Sequence, residues 1–108
     1  MATRDESEVE ITGRDYWFKV VEFLQQNWAL IEQAEAGVIV YFLSDASGIF
    51  DEMTFASQHD AEDTLQRNGF RRYADEREAQ KFIAAPRPPF VHRRHPNGRI
   101  YSSGKFWN

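Results

Sequence analysis

The chain has 108 residues, 42% hydrophobic and 15% aromatic, enough for one domain that buries about two-thirds of its extended surface and too few for a second core. It contains no cysteine, which excludes a disulfide framework, a thiol nucleophile and thiolate metal sites and points to a reducing compartment. The net charge of −4 is the balance of two unlike halves: residues 1–63 hold three basic and fourteen acidic side chains, net −11, and residues 64–108 hold ten basic and three acidic, net +7.

The first eleven residues are polar and acidic, without the basic start and apolar run of a signal peptide, and are expected to form a flexible tail before a single domain over residues 12–108. From Arg14 to Ala34 the apolar residues Trp17, Val20, Val21, Leu24, Trp28 and Ile31 recur at helical spacing, which predicts a long amphipathic helix. Thr12 is its expected N-cap and Gly37 its stop. Tyr16, Phe18, Phe23 and Leu30 widen its apolar arc, so this helix is expected either to pack deeply or to meet a second chain.

Val38 to Leu43 is β-branched and aromatic on both alternating faces, as an interior strand is. At six residues it is far short of the ~20 needed to span a bilayer. Ser44 to Gly48 is turn chemistry, and Ile49 to Phe55 completes a predicted hairpin. Ser57 caps a helix that carries Ala61, Thr64 and Leu65 and ends at Asn68-Gly69. Phe70 to Ala74 reads as a short strand, and Asp75 with Glu78 starts a third helix that must end before Pro86. Pro86-Arg87-Pro88-Pro89 is an extended spacer. Beyond it, Phe90 to His95 and Arg99 to Tyr101 flank Pro96-Asn97-Gly98, a strong hairpin signal. The expected fold is therefore α+β, a small and mainly antiparallel sheet of three to five strands with helices packed on one face, in the order α-β-β-α-β-α-β-β.

Residues 38–84 resemble the small hybrid-binding domain at the N-terminus of some ribonucleases H, which runs β-β-α-β-α. Gly48-Ile49-Phe50 stands where that family has a Gly before an aromatic, and Phe70 to Ile83 where its third strand leads into a capped helix. The chain lacks the family's basic strand and the Trp that follows the aromatic, so the resemblance implies an arrangement of elements and transfers no binding residue.

The C-terminal end carries the most chemistry. From Arg87 onward there are five Lys/Arg and no acid, interleaved with aromatics. Cations neutralise phosphates or carboxylates while aromatic faces stack, so Arg93, Arg94, Arg99, Lys105 and Trp107 are the candidate binding residues for an anionic partner. The opposite charge of the two halves also suits an acidic protein or head-to-tail self-association. The same stretch holds the parts of a metal-independent ribonuclease: His92 and His95 as acid and base, Tyr101 beside them and cations for the phosphate. On a regular strand, however, His92 and His95 point to opposite faces. His59, Asp60, Glu62 and Asp63 share a helix start without the spacing of a ligand set. No glycine-rich phosphate loop and no nucleophile elbow is present.

These observations predict a cytoplasmic, non-enzymatic interaction module with no cofactor, metal or membrane association. Its partner is a protein or a second copy ahead of a nucleic acid. A small ribonuclease or a homodimeric structural protein is the alternative.

Overall fold

The structure is a computed structural model and describes residues 8–22 and 25–92. Seven strands form one mixed sheet: β1 Glu8–Val9, β2 Trp17–Glu22, β3 Gln25–Ala34, β4 Gly37–Leu43, β5 Gly48–Phe55, β6 Arg71–Arg72 and β7 Phe90–His92. Their spatial order is β1-β7-β5-β4-β3-β2-β6. All neighbours are antiparallel except β5 and β7, which run parallel with Gly48 beside Val91 and Ile49 beside His92. Two α-helices, α1 Gln58–Arg67 and α2 Arg77–Phe82, and a 3-10 helix, Tyr73–Asp75, complete the described elements.

This arrangement corrects the expected fold class in three respects. The sheet has seven strands and is mixed, the helices lie on both of its faces, and the long first helix does not form. Residues 17–22 and 25–34 are instead the antiparallel strands β2 and β3, with Trp17 opposite Ala29, Phe18 opposite Trp28 and Val20 opposite Gln26.

The reason lies in what covers the sheet. Trp17, Ala29, Val40 and Phe42 point to a first face, where they pack with Ala61 and Leu65 of α1 and with Phe70. Phe18, Trp28, Leu30 and Leu43 point to the second face, where Ile11, Tyr16, Ile49 and Phe90 join them and Tyr73, Ala79 and Ile83 pack against the edge of the cluster. A strand buried on both faces loses the polar alternation that marks a strand. The apolar residues left at three- and four-residue spacings then imitate a helix. Intrinsic preference agrees with the observed outcome, because Tyr16, Trp17, Phe18, Val20 and Val21 are all strand formers.

The residues assigned as helix boundaries have other work. Thr12 donates its backbone N–H to Glu32 Oε1 at 2.9 Å and its hydroxyl to both carboxylate oxygens at 3.1 and 3.0 Å, while the Gly13 N–H approaches Oε1 at 3.3 Å. Gly37 sits at the β3–β4 turn with φ +146°, and a Cβ there would lie 2.3 Å from the Phe55 carbonyl oxygen. Only glycine tolerates both that backbone and that approach.

Downstream, Val38 pairs with Phe55, Val40 with Met53 and Tyr41 with Glu52, and a bulge shifts the register between Phe42 and Leu43. Ser57 caps α1 by accepting from the Asp60 N–H at 3.1 Å, and the helix closes at Asn68 before Gly69, whose φ is +92°. The order β-β-α-β-α does recur over residues 38–84. Its third strand, β6, pairs with β2, outside that segment, so the sheet is not a self-contained unit of those residues.

At the N-terminal end, Glu8 pairs with Val91 and Val9 with Phe90, and Ile11 is 3% exposed. The segment expected as a tail thus enters the sheet and core at its last four residues. The proline-rich segment is likewise held to the body. Tyr16 donates its hydroxyl to the Pro86 carbonyl at 2.5 Å, Ser47 to that of Arg87 at 2.5 Å, and Tyr73 to that of Ile83 at 2.6 Å.

Candidate functional site

Strand β7 carries the root of the predicted site into the sheet. Phe90 is buried beneath the Arg14 guanidinium, whose carbon lies 5.3 Å from the ring centre. Val91 is half-buried between β1 and β5, and His92 is exposed at the end of the strand. Arg93, Arg94, His95, Arg99, Tyr101, Lys105 and Trp107 lie outside the described residues, so of the predicted set the structure places His92 alone.

Beside β7 a groove of about 350 Å³ opens, lined by Glu8, Glu10, Thr12, Arg14, Pro88 and Phe90 among others. Arg14 is its cation. The guanidinium donates to the carbonyls of Ile11 and Gly13, and those two bonds together with its position over Phe90 hold it in place. Sequence reasoning missed this residue because it stood at the start of a helix that does not form. The groove presents both signs of charge, Arg14 against Glu8 and Glu10, at the base from which the basic C-terminal end departs.

A second cluster joins the acidic and basic halves. The guanidinium of Arg72, on β6, lies 4.9 Å above the Trp17 ring. It is in ionic contact through Nε with Asp15 at 3.1 Å and hydrogen-bonded through a terminal nitrogen to Glu62 at 3.0 Å. A planar, delocalised cation suits this sandwich of aromatic face and carboxylates, where lysine would not. The cluster ties β6, β2, α1 and the segment before β2 together. Its opposite charges are matched to one another, although the Trp17 ring N–H finds no hydrogen-bond acceptor among the described residues, and the ion pairing is the pattern of a structural fastener.

The tyrosines and one lysine depart from their ordinary titration. Burial raises the Tyr16 hydroxyl above 10.0, with Arg14 pulling the other way. Burial also raises Tyr41, and the Glu52 and Glu32 carboxylates add to the effect. Burial holds the Lys19 ammonium below its usual range. Its stem lies over Gly69, where an added Cβ would meet Lys19 Cε at 3.4 Å.

Among the described residues, no group of three or more His, Asp or Glu is placed to hold a metal ion, and no helix is long and apolar enough to cross a membrane. His59, Asp60 and Asp63 are exposed on the first two turns of α1, and Asp63 pairs with Arg67 at 3.4 Å.

The chain matches no family model, no curated protein and no solved structure. Its site is therefore read from its own residues.

Proposed function

We propose that the protein is a small non-enzymatic interaction module that binds an anionic partner through its basic, aromatic C-terminal end, with an acidic protein surface preferred over a nucleic acid. The observation that carries this reading is the composition of the C-terminal end, set beside the ion-paired cations of the described fold. Arg67, Arg71, Arg72 and Lys81 are engaged by Asp63, Glu76, Asp15 with Glu62, and Glu78. The run from Arg87 onward holds five cations and no acid of its own.

Arg87 precedes β7 and the other four cations follow it in the chain, and β7 itself is held on both sides by β1 and β5. A binding segment attached to a sheet has a fixed point of departure, which favours a defined contact with a partner. Clustered cations attract an anionic surface at long range, and adjacent aromatic side chains add contact area once it arrives.

The test is a titration of labelled poly-L-glutamate, single-stranded RNA, single-stranded DNA and duplex DNA at about 20 and 150 mM salt, a range over which exposed charges pass from weakly to strongly screened. Binding that weakens with salt and is lost in an R93A/R94A/R99A variant is the expected result. Failure to bind any of the four at low salt, or undiminished binding by the variant, overturns the proposal. RNA shortened on a gel would favour the ribonuclease alternative, and H92A and H95A would then be compared.

A further inference from the structure

We propose that the end of the sheet around the β3–β4 turn is a receptor surface for the basic C-terminal end of a second copy of this chain, so that the protein self-associates tail to body. The proposal rests on the reading of that end as a binding segment and names its partner.

A recess of about 510 Å³ opens at this end of the sheet, within the range of ligand-sized sites. Its apolar lining comes from Ala34, Ala36, Val38, Ile39 and Phe55. Two carboxylates stand at or near it. Glu35 lies on the turn that lines the recess and Glu52 on β5 opposite Tyr41, and both are exposed. Neither carboxylate takes part in a hydrogen bond or ion pair among the described residues. Glu32, by contrast, is occupied by Thr12 and Gly13, and belongs to the fold.

Tyr41 and Ile39 on β4 are half-buried on the second face. They align with Glu52 and Thr54 across the β4–β5 pair, and Ile39 also aligns with Glu32 across β3–β4. An apolar recess flanked by unmatched carboxylates favours a segment that brings cations and large apolar side chains together. Two stretches of this chain do so, Arg99-Ile100-Tyr101 and Lys105-Phe106-Trp107, with no acid anywhere from Arg87 to the end. Seating an aromatic in the recess removes apolar surface from water, and the adjacent cation meets Glu35 or Glu52. A second copy supplies both halves of the contact. Reciprocal exchange of the two ends closes a two-fold dimer, in which each body receives the other's end.

The test is sedimentation velocity on the full chain over a wide concentration range at low and moderate salt, with two charge-reversed variants, E35K/E52K and R99E/K105E. Glu35 and Glu52 lie outside the ion pairs described above. The wild-type protein is expected to associate at low salt and dissociate as salt rises. Each variant alone is expected to lose about tenfold or more in affinity, as attraction becomes repulsion at two pairs. Mixing the two variants restores the complementary signs between molecules and is expected to produce a one-to-one complex. A wild-type protein that stays monomeric at every concentration and salt overturns the proposal, as does association unaffected by either reversal or a mixture that remains monomeric.

The E35K/E52K variant keeps its C-terminal end intact, which separates the two readings. If it binds poly-L-glutamate while the wild type never self-associates, the inference fails and the proposed function stands. If neither occurs, both fail.

Discussion

The first face of the sheet is closed by α1, a ten-residue helix that lays Ala61, Thr64 and Leu65 onto Trp17, Val40 and Phe42. The second is closed by irregular chain broken by short helices: the segment from Ile11 to Tyr16, the 3-10 helix, α2 and the proline-rich stretch, over Phe18, Trp28, Leu30 and Leu43. A helix satisfies its own backbone, so α1 needs only an apolar stripe and caps to serve as a lid. Irregular chain leaves backbone groups that must find partners elsewhere. Here side chains provide them: the Tyr16, Tyr73 and Ser47 hydroxyls reach carbonyls of residues 83–87, and the Glu32 carboxylate receives the Thr12 and Gly13 N–H groups. The second lid therefore depends on single polar atoms as the first does not.

Truncations on each face test this difference most strongly. Trp28 is fully buried, donates its ring N–H to Asp45 at 2.7 Å and packs edge-on against Tyr16 and Tyr73. Trp28→Ala is expected to cost about 3–5 kcal/mol in urea unfolding, and Leu65→Ala on the first face about 2–5 kcal/mol. For a domain of marginal stability either loss is a large fraction of the total. A much smaller loss for Trp28→Ala would mean that the irregular lid is not part of the cooperative unit.

Removing one hydroxyl sharpens the comparison. Tyr16→Phe keeps the ring and deletes its bond to Pro86, so it is expected to cost about 1–2 kcal/mol, because a buried carbonyl loses its partner. The same change should increase protease cleavage near residues 84–89 while leaving α1 unaffected. Cleavage unchanged from wild type would show that the proline-rich stretch is held by other contacts.

On the first face, Ser57→Ala removes the α1 cap and is expected to cost about 1 kcal/mol, visible as a lower urea midpoint at unchanged slope.

The smallest expected effect is on alkaline stability. Tyr16 and Tyr41 have folded pKa values raised above 10.0, so the folded protein keeps protons that the unfolded chain releases. Stability on this account is full below pH 10 and falls as pH rises above it towards the folded values. Ultraviolet titration should show late-ionising tyrosines, and Tyr16→Phe should flatten the loss. A Tyr16 that titrates like a free phenol would contradict its burial.

Several elements could be read from the residues because their determinants are local. The β4–β5 hairpin follows from two strand-forming runs around Ser44 to Gly48. Helix α1 follows from Ser57, its apolar positions and Asn68-Gly69. The first thirty residues could not be read this way. Trp17 and Ala29 pack on one covered face and Phe18, Trp28 and Leu30 on the other, beneath α1, the segment from Ile11 to Tyr16 and residues far along the chain, so the strand period disappears from a local window. Arg14 was hidden for the same reason, since its setting over Phe90 depends on the return of β7 to lie beside β1. The parallel pairing of β7 with β5 had no local signal either. It is set by where the proline-rich stretch is pinned, through Tyr16, Tyr73 and Ser47.

By itself the sequence determined that the chain is cysteine-free, that its charge is divided between the halves, and where the strongest local signals place a hairpin and a capped helix. Only the tertiary structure decided that residues 17–22 and 25–34 are strands, that seven strands join in one sheet among the described residues, and that helices lie on opposite faces. The physical reason is that caps and turns act within a few residues, whereas the choice between helix and strand for a segment whose apolar residues fit both periods depends on which surfaces remain to bury it.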